Sequence, residues 1–249
     1  ITALILATAN VPVVLHGGDC LPTKYGIPLV EIWQQLGVDF SSLNLAQAQS
    51  VYNQTNLGFS YLPQHFPAAH NFVTFREQIG KRPPFATAEL VWCPIAGEAH
   101  LVAGFVHPPT EERFRATFKL RGTKNYTLVK GLEGSCDLSQ NRTGIMALSQ
   151  PEGDFERLLL DPYKYGLSGS DLTFESNAQA IALIKKTIQG EKNELLSAAI
   201  LNGGFYLWRF KITHTLESGF ALAEEMLTTA KVAHKLSELQ SVLKDKLRK

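Results

Sequence analysis

A run of β-favouring apolar residues that stops in glycine constrains the fold most. Val11 and Val13-Val14-Leu15 lead straight into His16-Gly17-Gly18-Asp19, and no strongly periodic stretch resumes until near Pro28. This pattern reads as a buried strand that empties into a glycine loop. In open α/β sheets, ligands sit beside the loops at the carboxyl ends of strands, because backbone N–H groups are unspent there and glycine lets an anion approach closely. His16, Asp19, Thr23 and Lys24 add donors and charge to this loop. An ordinary strand-to-helix turn reads the same way on spacing alone.

The chain of 249 residues is long enough to bury a sizeable core without disulfides. Its 24 basic and 23 acidic residues leave a net charge of +1, so no global field recommends nucleic acid or an anionic membrane. Cys20, Cys93 and Cys136 are widely spaced, with no CxxC pair, which fits a reducing compartment. No apolar run approaches the ~20 residues of a membrane span, and a cytoplasmic protein is expected. The first residue is Ile1, and Ile1–Ala9 reads as the end of a helix already under way, so an upstream segment is expected as well.

Farther along, Ile27–Leu36 is amphipathic with Gly37 as its stop, and Asn44 is an N-cap for a helix over Leu45–Tyr52. Leu57–Leu62 alternates as a strand and opens into a loop at Pro63–Pro67, after which Phe72–Ile79 is helical up to Gly80. Ala99–Val106, Thr110–Leu120 and Tyr126–Val129 spell strand, helix, strand, the signature of a βαβ unit with a parallel pair. Another strand is expected at Arg142–Leu148 and a polar loop over Ser149–Gly169. The last third is helical: Asn177–Gln189, Glu194–Phe210 with its aromatic cluster, and one long amphipathic region from Leu216 to Leu247. With no internal repeat and no low-complexity linker, one compact domain is expected.

The chain has no GxSxG, HExxH or P-loop motif and no complete dinucleotide fingerprint, which removes most hydrolase and nucleotide-motor readings. What remains is a glycine loop after a strand, an arginine on a helix, and an acidic loop after a later strand. In that order they resemble the anthranilate phosphoribosyltransferase family. The family's phosphate loop, roughly KHGNRSVSSKSG, is similar to Leu15–Gly26, and its FHPAMK…VR…LGIRT segment to His65-Phe66-Pro67-Ala68-Ala69 and Phe75–Arg82. Its DGLDE loop falls on Glu133–Asp137. The helical end carries four more matches in register, around Asn177, Ala199–Gly204, Leu216–Glu225 and Thr229–Lys231.

The resemblance implies an α/β fold, a mostly parallel central sheet flanked by helices, with a small helical subdomain only partly present. By the same resemblance, residues 1–25 begin the α/β domain, 26–55 belong to the helical subdomain, and 56–249 complete the α/β domain. It implies transfer of the phosphoribosyl group of 5-phosphoribosyl pyrophosphate to anthranilate in tryptophan biosynthesis, with Mg²⁺ as cofactor and a homodimer as the assembly. His16, Gly17, Gly18, Asp19 and Thr23 would bind the donor, Arg76 the anthranilate carboxylate, and Asp137 the metal. The family's upstream GTGGD segment has no counterpart after Ile1.

Five positions depart from the family pattern. Leu15, Gly18 and Asp19 stand where the family has lysine, asparagine and arginine, and Cys136-Asp137 stands where it has Asp-Glu. These departures motivate an alternative: a non-catalytic relative that binds nucleic acid, through the terminal lysines, or another ligand.

Overall fold

The computed structural model describes residues 1–20, 26–80, 85–131, 134–150, 154–170 and 172–247. The chain divides into two compact units, Ile1–Pro83 with Leu172–Lys249, and Pro84–Asp171 between them.

The first unit opens with helix α1 (Thr2–Thr8), whose Leu4, Ile5 and Ala7 are fully buried. Strand β1 (Val13–Gly17) follows, then α2 (Leu29–Gln35), α3 (Leu45–Thr55) and strand β2 (Leu57–Tyr61). β1 and β2 are parallel, from Val13 opposite Leu57 to Gly17 opposite Tyr61. A parallel pair needs a crossover connection, and α2 and α3 supply it. Asn44 caps α3 in a reciprocal capping box with Gln47, as the sequence suggests.

The expected loop at Pro63–Pro67 is instead two single-turn helices, α4 (Leu62–His65) and α5 (Pro67–His70), before α6 (Phe72–Ile79). Each has its proline in the first two helical positions, where the missing N–H costs nothing.

The helical end comprises α9 (Asn177–Ile188), α10 (Leu196–Arg209), α11 (Leu216–Thr228) and α12 (Lys231–Leu247), and α1 packs against the last three. Within the long amphipathic region the chain breaks between α11 and α12 at Ala230, whose φ is +61°, with neither glycine nor proline to announce it. Gly203 and Gly204 set the spacing within this bundle. A methyl on Gly203 would meet Ile5 of α1 at 2.5 Å, and one on Gly204 would meet the Phe220 backbone nitrogen of α11 at 2.6 Å. Phe205 and Tyr206 are buried, so the aromatic cluster belongs to the core.

The second unit contains α7 (Phe85–Ala88), strand β3 (Leu101–Phe105), α8 (Pro108–Arg121) and strands β4 (Tyr126–Lys130), β5 (Gly144–Ser149) and β6 (Phe155–Leu160). The sheet order is β3-β4-β5-β6, with β3 and β4 parallel and the other two ladders antiparallel. The expected βαβ unit is therefore present, and so is the α/β class. Ala103, Phe105, Phe114, Phe118 and Leu128 form its core. Strand β6 lies where the sequence suggested a polar loop. It is an edge strand whose exposed Glu156 and Arg157 mask its strand pattern, and Phe155 is covered by the guanidinium groups of Arg115 at 3.6 Å and Arg157 at 5.2 Å.

Candidate functional site

The carboxyl end of the β1–β2 pair brings the glycine loop to the end of β2. His16 lies opposite Ser60 and Gly17 opposite Tyr61. Beneath them Phe59 is buried, stacked on Phe40 at 5.6 Å between centroids, with Trp33 edge-on to Phe40 at 5.5 Å. This aromatic floor holds the strand ends in place. Gly18 lies against α4 and α5: a methyl there would contact Pro63 at 3.6 Å and the His70 Nδ1 at 4.0 Å.

Burial lowers the pKa of the His16 imidazole below its ordinary value, so the ring is neutral at pH 7. A neutral ring offers a phosphate a single N–H donor and no charge. Asp19 is exposed, and its two carboxylate oxygens accept the Tyr61 hydroxyl at 2.8 and 2.9 Å. Burial, followed by this bond to Asp19, pushes the Tyr61 phenol up to about 12. His65 is structural here: its Nδ1 accepts the Tyr61 backbone N–H at 3.0 Å, which leaves Nε2 to donate to the Leu43 carbonyl at 2.8 Å. Thr23 and Lys24 lie outside the described residues.

Arg76, in the last turn of α6, reads from sequence equally well as a surface arginine. In the fold it is only 3% exposed and already engaged, while Phe72, Phe75 and Ile79 of the same helix are exposed. A guanidinium is rarely buried unless paired, and its fork suits a carboxylate.

Asp137 belongs to the second unit. Its loop packs on the carboxyl ends of β3 and β4: a methyl on Gly104 would collide with the carbonyls of Gly134 and Ser135, and one on Gly131 with the Ser135 carbonyl. The exposed Asp137 carboxylate accepts the Ser135 hydroxyl at 2.7 Å, and the Asp137 N–H donates back to that oxygen at 3.0 Å. Burial, with the Asp137 charge beside it, pushes the Cys136 thiol up to about 12, so it stays protonated and is no ligand for a hard cation. Glu133 lies outside the described residues. Among the described residues no three His, Cys, Asp or Glu side chains cluster as a metal site. The fit to Mg²⁺ is therefore one carboxylate. That suffices for an ion that keeps several waters and takes its other oxygens from a substrate.

A model of the glycosyl transferase family a/b domain matches residues 1–233. The chain belongs to this glycosyl transferase family. Among its relatives are two anthranilate phosphoribosyltransferases. The one from Chromobacterium violaceum is 24% identical over 241 residues, covering 96% of this chain and 69% of the relative. The one from Persephonella marina is 27% identical over 252 residues, covering 98% and 72%. Anthranilate phosphoribosyltransferase from Thermus thermophilus has a similar fold, with a TM-score of 0.82 at 21% identity over 98% of this chain and 72% of that one. So does the Saccharomyces cerevisiae enzyme in complex with PRPP and Mg, with a TM-score of 0.81 at 14% identity over 98% and 68%. Within this glycosyl transferase chain, Tyr61 and His70 are the neighbours of the glycine loop that sequence reading missed. Only the β1–β2 register, which no local pattern reveals, brings Tyr61 to the loop.

Proposed function

We propose that this protein transfers the phosphoribosyl group of 5-phosphoribosyl pyrophosphate to the amine of anthranilate, a step of tryptophan biosynthesis. The ribose carbon exchanges its bond to pyrophosphate oxygen for one to the anthranilate nitrogen, and the amine proton leaves to solvent. The observation that carries the reading is the glycine loop at the carboxyl edge of a parallel pair, in a chain whose family match spans residues 1–233.

On this reading the backbone of Gly17 and Gly18 receives the donor's phosphate, with the neutral His16 as a hydrogen-bond donor; Asp19 lines the loop without touching the phosphate, and Thr23 is assigned to the donor by the resemblance alone. Arg76, buried and already engaged, would turn its guanidinium fork from its present partner to the acceptor carboxylate. Asp137 would hold Mg²⁺ by one carboxylate oxygen, and the ion when bound would neutralise charge on the diphosphate. Positioning and electrostatics supply most of the rate in such a transfer.

We assign residues 1–25 to the start of the α/β domain, 26–55 to the small helical subdomain and 56–249 to the rest of the α/β domain. We also infer a cytoplasmic homodimer. Among the described residues no helix is long and apolar enough to cross a membrane. No observation favours the non-catalytic, nucleic-acid-binding alternative.

An acceptor panel tests the reading. With Mg²⁺ and 5-phosphoribosyl pyrophosphate, anthranilate is expected to release pyrophosphate, whereas aniline, which lacks the carboxylate, and benzoate, which lacks the amine, are not. Equal release with all three, or with none, would overturn it.

A further inference from the structure

The Asp19 carboxylate sits in a loop read as a phosphate cradle, and like charges a few ångströms apart repel appreciably even at a protein surface. Its partner is Tyr61, whose hydroxyl reaches both oxygens at 2.8 and 2.9 Å. Tyr61 is itself fixed. Its backbone is in register with Gly17 in the ladder, and its N–H is held by His65, which is anchored in turn to Leu43. With its pKa pushed up to about 12, the phenol remains a donor across physiological pH. The chain thus puts a rigid donor where it can hold the one negative side chain of the described loop.

We propose that Tyr61 is a positioning residue. Its bond to Asp19 latches the glycine loop and keeps the carboxylate at the phenol, away from an incoming phosphate. This inference rests on the phosphoribosyl-donor reading of the loop. It also accounts for the acid at a position where a cradle for anions gains nothing from one.

Two measurements test it. Tyr61→Phe is expected to raise the KM for 5-phosphoribosyl pyrophosphate about tenfold, the worth of one hydrogen bond to a charged group, with kcat changed by less than about twofold. The penalty should shrink at high salt, because a freed, exposed carboxylate is screened. Adding Asp19→Asn to Tyr61→Phe removes the freed charge and is expected to recover most of the loss. The second measurement needs no substrate: amide hydrogen exchange over Gly17–Cys20 is expected to quicken about tenfold in Tyr61→Phe, as that section of loop opens more readily. Unchanged exchange, or a KM penalty that Asp19→Asn fails to reverse, would overturn the latch. Absence of donor turnover by the unmodified protein would instead overturn the reading of function, and the exchange measurement would still decide whether the latch exists.

Discussion

Two loops at the carboxyl ends of parallel strands carry the proposed chemistry, and they are built in opposite ways. The glycine loop after β1 is fixed by side chains: Tyr61 holds Asp19, and Gly18 has room beside Pro63 and His70. The acidic loop on β3 and β4 is fixed by backbone packing, with the carbonyls of Gly134 and Ser135 pressed onto Gly104 and Gly131. A loop held by hydrogen bonds can move at modest cost, whereas one close-packed on two glycines gives up that packing whenever it lifts. The first arrangement suits a cradle that must admit and release a substrate, and the second suits a fixed carboxylate.

The largest effect should come from adding one methyl to the packed loop. Gly104→Ala drives a Cβ into two backbone carbonyls and is expected to cost about 3 kcal/mol, read by denaturant unfolding. Arg76→Ala, in the unit of the glycine loop, removes the fork that would grip the acceptor. The KM for anthranilate should rise some 30-fold, about 2 kcal/mol, with a smaller effect on the KM for the donor. Asp137→Asn leaves the loop's packing intact but weakens its only described acid, so about tenfold more Mg²⁺ should be needed for half-maximal turnover.

A pH experiment probes the packed loop without mutation. The Cys136 thiol is held up at about 12 from an ordinary 9.0, so the folded state keeps a proton that the unfolded chain gives up first. The thiol's contribution to stability is full below pH 9 and is lost as pH rises towards 12, a loss under about 1 kcal/mol at pH 9.5. Exposed Cys20 should react with a thiol reagent at pH 8, whereas Cys136 should not until the protein unfolds. The smallest effect belongs to Gly18→Ala. Its methyl meets only ordinary contacts at 3.6 and 4.0 Å, so stability should change by less than about 0.5 kcal/mol. If this variant unfolds the protein as readily as Gly104→Ala does, the contrast between the loops is wrong.

Where local sequence determines structure, the sequence was readable. The Asn44 cap, the Gly80 stop and the strand–helix–strand over Leu101–Lys130 appear as expected, and the run into His16-Gly17 is a strand, though half-buried along its length where a buried one was expected. Where tertiary contacts decide, it was not. Phe155–Leu160 is a strand because its backbone pairs with β5, from Ser149 opposite Phe155 onward, and Ala230 separates α11 from α12 with no breaker in the sequence. The site shows the same divide. The glycine loop could be read from residue order, but the burial of Arg76, the raised pKa of Cys136 and the bond from Tyr61 to Asp19 depend on strand register and packing. Resemblance placed roles on residues; the fold shows how Asp19 and Asp137 are held.

The most direct test is to identify the bond that forms. Purified protein incubated with 5-phosphoribosyl pyrophosphate, anthranilate and Mg²⁺ should yield pyrophosphate and N-phosphoribosylated anthranilate in equal amounts, measured by phosphorus NMR and mass spectrometry. Ribose 5-phosphate appearing while anthranilate is left intact, or neither substrate being consumed, would contradict the account.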